Sequence, residues 1–245
     1  MTPEDRLASQ DRLAVVGDVH GMMSELAPII QRADSDRRHL VLLGDLVDRG
    51  PDSIGVLRAI VPRVVDGRAT WIKGNHDDKL MRRFAGNPVV VDIELAETLR
   101  QLDDAGASFH EDLQRAWGMS LLWARWNDHV FVHGAFHPAM ATKSPTPVPR
   151  RGAVTALALY GETSGARDGL GHPVRTYAWL DEVPAGTTVV VGHDTGADHR
   201  VQLRSTKLGG KVVFLDTGAG KGGCLTAMIL PEGIFIPDPS NIRSR

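Results

Sequence analysis

Along the 245-residue chain the apolar positions gather into short, nearly unbroken runs: "LAVVGD", "HLVLLGD", "ATWIKGN", "HVFVHG", "TTVVVGH", "KVVFLDTG" and "CLTAMIL". Runs of this length, rich in Val, Ile and Leu, predict strands buried on both faces. Between several of them the apolar residues recur at helical spacing, as in residues 22–32 and 53–64. Strands alternating with helices predict an α/β fold. Nearly all of the first six runs finish in Gly and a polar or acidic residue. In open α/β sheets the ligand crevice lies beyond the carboxyl ends of the strands, so these ends are where a site is expected. Residues 141–151, "ATKSPTPVPRR", carry three prolines and no periodicity, and residues 141–175 are expected to form a substrate-side loop or flap. The last stretch, residues 237–245, predicts an exposed tail.

Composition narrows the classes. With 42% apolar residues the chain can bury one large core, so residues 1–245 are expected to form a single domain. A formal charge of −2 gives no global basic field for an extended nucleic-acid or membrane surface. No signal pattern opens the sequence and no apolar run reaches the roughly 18 residues of a membrane span, which points to a cytoplasmic protein without a membrane partner. Cys224 is the single cysteine and is expected to be a packed thiol in a reducing compartment. The five tryptophans have no stacking-platform spacing and are assigned to core or rim.

The strand ends carry the chemistry. "GDVHG" offers Asp18 and His20, "GDLVDRG" offers Asp45, Asp48 and Arg49, and "GNHDD" offers Asn75, His76, Asp77 and Asp78; "VHG" adds His133 and "GHD" adds His193. One Gly-Asp turn after a strand is ordinary. Five strand ends that each present an oxygen or imidazole donor point instead to a metal site, with Asn75 among its ligands and His76 beside it for chemistry.

This order of motifs resembles the metallophosphoesterase (calcineurin-like) superfamily, and within it the phosphoprotein phosphatase type. The resemblance spans residues 18–218 and implies a four-layer α/β/β/α sandwich, two β-sheets packed face to face with helices outside, and a two-metal centre at the sheet rim. Carried over, it places Asp18 and His20 on the first metal, Asp45 as the bridge, and Asn75, His133 and His193 on the second. Many superfamily members end in "GHxH"; here "GHDT" leaves the first metal with fewer protein ligands. Asp216, in "LDTGAG", resembles the late "DTG" segment whose acid supports the site, and Asp77 is assigned the same supporting role.

The residue types agree with that chemistry. Carboxylate, amide oxygen and imidazole without thiolate suit two divalent ions, Mn²⁺ above all, with Fe, Zn, Co or Ni as alternatives. The planar fork of Arg49 suits the non-bridging oxygens of phosphate, and neutral Asn75 preserves the positive surplus that attracts them. His76 is assigned as general acid, raised and oriented by Asp48. Arg151 and Arg175 are candidates for a second phosphate clamp. His39, His110, His129, His172 and His199 lie off the motifs and are assigned to surface or packing, and His137 to a loop.

Substrate is less legible. The leading expectation is a phosphomonoesterase of the phosphoprotein type, acting on phosphorylated Ser, Thr or Tyr in a protein or on a small phosphoester. "GNHDDKLMRRFAGNPVV", "ELAETLRQL" and "LALYGETSGARDGLGHPVRTYAW" also resemble the phosphatase module of bacterial polynucleotide kinase-phosphatases. The alternative is therefore a nucleotide phosphoesterase acting on RNA 2′,3′-phosphate ends or on dinucleoside polyphosphates such as diadenosine tetraphosphate. A non-catalytic phosphate-binding protein is the third reading, and the retention of every motif residue weighs against it.

Overall fold

A computed structural model of the chain describes residues 1–145, 152–169, 171–196 and 198–237. In chain order the elements are α1 (Pro3–Ala8), β1 (Leu13–Val16), α2 (Met23–Ser35), β2 (His39–Leu42), α3 (Ser53–Val65), β3 (Ala69–Trp71), α4 (Asn75–Phe84), α5 (Ile93–Asp103), α6 (Ala107–Met119), β4 (Trp123–Trp126), β5 (His129–Val132), α7 (Ala139–Thr142), α8 (Ala153–Tyr160), β6 (Thr163–Arg167), β7 (Pro173–Arg175), β8 (Thr188–Val191), β9 (Gln202–Ser205), β10 (Lys211–Phe214), β11 (Ala227–Leu230) and β12 (Ile234–Ile236). All seven apolar runs become strands.

The strands form two five-stranded sheets, ordered β12-β11-β1-β2-β3 and β4-β5-β8-β10-β9. In the first, β1, β2 and β3 are parallel. In the second, β5, β8 and β10 are parallel. The antiparallel strands β11, β12, β4 and β9 extend these parallel cores. The sheets are stitched where Ile72, just past β3, bridges Leu121, just before β4.

Period-two alternation is hidden in the sequence because both strand faces are apolar. It reappears in the packing. Val15 and Val41 from one sheet meet Phe131, Val190 and Val213 from the other in the layer between them. Their neighbours Val16, Leu42 and Trp71 face Leu26, Leu57 and Ile60 of α2 and α3 on one outer side. On the other, Val132, Val191 and Phe214 face Phe136, Leu159 and Trp179. The result is the expected helix, sheet, sheet, helix sandwich.

One expectation needs correction. Residues 152–175 are not loop: they contain helix α8 and the β6–β7 hairpin, whose pairing joins Thr163 to Arg175. The prolines just before Gly152 mask the apolar "AVTALALY", and the fully exposed β6 lacks the burial pattern that marks a strand. Residues 146–151 and the tail from 238 onward lie outside the described residues, as does Arg151.

The off-motif histidines sit as assigned, His39 and His129 in packing, and His172 at the surface. His39 is buried, with Nε2 at 2.9 Å from Thr70 Oγ1, and burial pushes its pKa from 6.5 down to about 4. Folded His39 is therefore neutral where the unfolded chain would take a proton. Stability falls as pH drops from about 6.5 towards about 4, by up to about 3 kcal/mol from this residue. Urea unfolding of wild type and His39→Gln at pH 7.5 and 5 should show the larger pH-dependent loss in wild type; equal losses would remove His39 as the source.

Candidate metal centre

Six parallel strands from two sheets end on one rim, and each is followed by a polar residue of the site. Asp18 and His20 follow β1, Asp45 follows β2, Asn75 follows β3, His133 follows β5, His193 follows β8 and Asp216 follows β10. The glycines between strand and ligand permit the close approach. A Cβ on Gly192 would collide with Asp18 Oδ1, and one on Gly74 with the backbone and carboxylate of Asp45.

Asp18 Oδ1 accepts the His193 backbone N–H at 3.0 Å, while its buried Oδ2 has no hydrogen-bond partner. That orphaned oxygen lies 3.8 Å from His20 Nε2. Asp45 Oδ1 accepts from the His76 N–H at 2.9 Å, leaving Oδ2 between His20 Nε2 at 3.7 Å and His133 Nε2 at 3.5 Å. Asn75 Oδ1 and His193 Nδ1 each lie 3.1 Å from His133 Nε2.

The far nitrogen of each imidazole is tied to a backbone carbonyl. His20 Nδ1–H donates to Val47 O at 2.9 Å, His133 Nδ1–H to Leu43 O at 2.8 Å and His193 Nε2–H to Tyr160 O at 3.1 Å. This fixes the tautomers and aims three lone pairs at the carboxylate oxygens. A cluster of acceptors facing one another needs cations between them. His20, Asp45 and His76 form one group that could hold an ion, and Asp45, His133 and His193 another, sharing Asp45. The residues present therefore fit two divalent ions, with Asp45 at the shared position.

The electrostatics carry the same mark. Burial drives the Asp18 carboxyl well above its ordinary pKa, and the Asp216 carboxylate adds to the shift. Burial likewise opposes charge on Asp45, but the His133 and His76 imidazoles outweigh it and hold that carboxyl well below the usual range.

The second constellation lies beside the first. His76 Nδ1–H donates to Asp48 Oδ2 at 2.7 Å, so Nε2 faces the site, 3.1 Å from Arg49 Nη2. Burial lowers the affinity of His76 for a proton, but Asp45 and Asp48 overcome it and its pKa is raised. Arg49 Nη1 also contacts His20 Nε2, and its Nε lies 3.6 Å from Glu94. Among the described residues, eight non-glycine residues have positive φ, and His20, Asp45, Asp48, Arg49 and His193 are five of them. Backbone strain of this kind concentrates at functional sites.

Asp77 is buried beneath the centre, where its carboxylate accepts from Leu46 N at 2.8 Å, Trp71 Nε1 at 3.0 Å and Gly74 N at 3.2 Å. It locks the start of α4 against the β2 and β3 ends, while burial raises its pKa to about 6. Asp216 accepts from Gly218 N at 2.9 Å and pairs with Lys221 Nζ at 2.9 Å. Arg175 Nη1 donates to Tyr160 O at 3.2 Å, the carbonyl that also receives His193, which places Arg175 at the rim. His137 Nδ1 accepts from Ala139 N, a loop role.

Several residues were missed in the sequence. Thr98 Oγ1–H donates to Asp48 Oδ1 at 2.6 Å from α5, and Asp48 N–H donates to Ser53 Oγ at 3.0 Å, so the acid beside His76 is held from two helices. Lys221 lies in "GAGKGG", where Gly-rich composition right after a strand-end acid was a usable signal. Nothing local marks Thr98.

Comparison with known proteins shows the family. The calcineurin-like phosphoesterase family profile matches residues 11–209. The bis(5′-nucleosyl)-tetraphosphatase PrpE [asymmetrical] of Bacillus subtilis is 28% identical over 242 residues, covering 93% of this chain and 94% of that protein. Its counterpart in Halalkalibacterium halodurans is 29% identical over 244 residues, covering 92% and 93%. Among solved structures, a candidate diadenosine tetraphosphatase superposes with a TM-score of 0.62 at 24% identity, covering 92% of this chain and 91% of that one. A protein serine/threonine phosphatase from Saccharomyces cerevisiae gives 0.58 at 15% identity, covering 95% and 77%. At these identities the structures speak for the fold alone.

Proposed function

We propose that this chain, which belongs to the calcineurin-like phosphoesterase family and is a hydrolase of that family, acts on bis(5′-nucleosyl) tetraphosphates. The observation that carries this reading is the near full-length likeness to bis(5′-nucleosyl)-tetraphosphatases. The expected phosphoprotein substrate rests on superfamily membership alone, and the relatives' names favour the dinucleoside alternative over it and over RNA ends.

Asp18, His20 and Asp45 would hold one divalent ion, and Asp45, Asn75, His133 and His193 the other, with Mn²⁺ expected to support turnover. When bound, the two ions supply Lewis acidity and positive charge for an in-line displacement at phosphorus. The protein's own residues do the rest. Arg49 and Asn75 orient the phosphate oxygens, with Arg175 at the rim as the second clamp. Water forms the new P–O bond and releases a proton, the P–O–P bridge breaks, the leaving oxygen takes the proton held at His76 Nε2, and the proton released by the water restores His76. Asp48, itself fixed by Thr98, keeps the His76 ring aimed.

Initial rates of the Mn²⁺-loaded protein on diadenosine tetraphosphate, a phosphopeptide and a 2′,3′-cyclic nucleotide test the reading. Diadenosine tetraphosphate should lead in kcat/KM by about a hundredfold or more. A lead for the phosphopeptide would overturn it.

A further inference from the structure

A cleft of about 640 Å³ opens beside the metal centre, lined among others by Trp117, Tyr160, Asp78, Arg82 and Asn87. Pockets for small ligands commonly have this size and mixture of aromatic walls with a few polar groups. The cleft shares two walls with the centre. On one side, Asn75, Asp78 and Arg82 follow one another at i, i+3 and i+7 along α4, a single stripe that starts at a candidate ligand and ends about 10 Å further along the helix axis. On the other, the Tyr160 carbonyl holds His193, while the Tyr160 side chain, 44% exposed, faces the cleft. Trp117 forms part of its wall and is itself braced by Lys73, whose Nζ lies 3.9 Å over the indole.

The charge pattern says what fits. Asp78 and Arg82 balance each other inside the cleft, whereas Arg49, Arg175 and Lys221 gather around the centre. Arg82 and Tyr160 line the cleft together. The phosphates therefore belong at the centre, and the cleft offers a stacking face, a carboxylate, a guanidinium and an amide to an uncharged, hydroxyl-bearing, aromatic group. We propose that the cleft binds the nucleoside whose own 5′-phosphate is attacked, with its base stacked on Tyr160 and its ribose hydroxyls facing Asp78 and Arg82. This rests on the dinucleoside reading above. One nucleotide spans the helix stripe, and a nucleoside separated from the centre by further phosphates would overreach it. Water then adds to the phosphorus next to the cleft nucleoside, which leaves as the monophosphate, and the bridging oxygen departs with the nucleoside triphosphate.

Three measurements on the Mn²⁺-loaded protein decide this. In H₂¹⁸O, the label from diadenosine tetraphosphate should enter AMP; label in ATP would overturn the assignment. The ratio of kcat/KM for diadenosine tetraphosphate to that for inorganic tripolyphosphate should fall tenfold or more in Tyr160→Ala and in Arg82→Ala, mainly through KM. Tyr160→Phe, which keeps the stacking face, should stay within about threefold of wild type; ratios unchanged in both alanine variants would overturn the cleft's role. If wild type shows no preference for diadenosine tetraphosphate, the functional reading fails separately. AMP binding by equilibrium dialysis then still decides the cleft: binding tighter than inorganic phosphate, and lost in Tyr160→Ala, supports it, and binding no tighter than phosphate overturns it.

Discussion

Asp45→Asn is expected to reduce turnover by about 10³-fold or more, a loss of about 4 kcal/mol in transition-state stabilisation. Asp45 Oδ2 is the one carboxylate oxygen placed between His20 and His133, so the substitution removes the shared anion from both candidate ion positions. The amide oxygen can still accept the His76 N–H, which keeps the β2 and β3 ends together. The prediction has a readout independent of rate. Mn²⁺ at about 100 times its dissociation constant should stabilise wild type by about 2.7 kcal/mol, and the variant by far less at the same concentration. Thermal melts with and without Mn²⁺, together with metal content after dialysis, check it. A variant that retains two ions and wild-type stabilisation would remove Asp45 from the shared position.

His76→Asn should cost about 10² to 10⁴ in kcat on an alkyl phosphate, roughly 3 to 5 kcal/mol. The loss should be much smaller on p-nitrophenyl phosphate, whose leaving group hardly needs a proton. Diadenosine tetraphosphate should resemble the latter, because a departing polyphosphate is also a stable anion. The basis is geometric: Asp48 Oδ2 accepts a hydrogen bond from His76 Nδ1–H at 2.7 Å and turns Nε2 into the site. Thr98→Val tests the support of that dyad from α5 and should show the same leaving-group dependence in weaker form, since Thr98 touches Asp48 and not His76. Equal losses of His76→Asn on all three substrates would assign His76 to ground-state binding instead.

The strand ends were legible because chemistry there is written in consecutive letters. "GDVHG", "GDLVDRG" and "GNHDD" each put a ligand-type side chain two or three positions after a buried apolar run, and the structure brings all three to one rim. The antiparallel strands β4, β9 and β12 were not legible. "QLRS" of β9 is largely exposed and carries no apolar alternation, so its place beside β10 is set by pairing rather than by its own residues. The same holds for the site's supports. Thr98 reaches Asp48 across 50 residues of chain, and the Tyr160 carbonyl reaches His193 across 33, contacts made by packing that no local pattern encodes. Residues 152–175 read as loop in the sequence because prolines precede Gly152 and the eight-residue α8 has almost no apolar sidedness.

The left-handed backbone at His20, Asp45, Asp48, Arg49 and His193 bears on how this protein can change over generations. Asp, Asn and His are the L-residues that enter this conformation most readily, and β-branched residues are nearly barred from it. Metal-ligand chemistry at His20, Asp45 and His193, and the hydrogen bond to His76 at Asp48, thus call for the same residue types as the turn geometry at four of these five positions. A drift from Asp or His to Asn deletes charge or imidazole while leaving the turn comfortable, whereas a drift to Val or Ile threatens the turn itself. Loss of activity and loss of shape are therefore separable here, and lineages that stop hydrolysing phosphate should more often carry Asn at these turns than aliphatic residues, keeping an intact scaffold free for other uses.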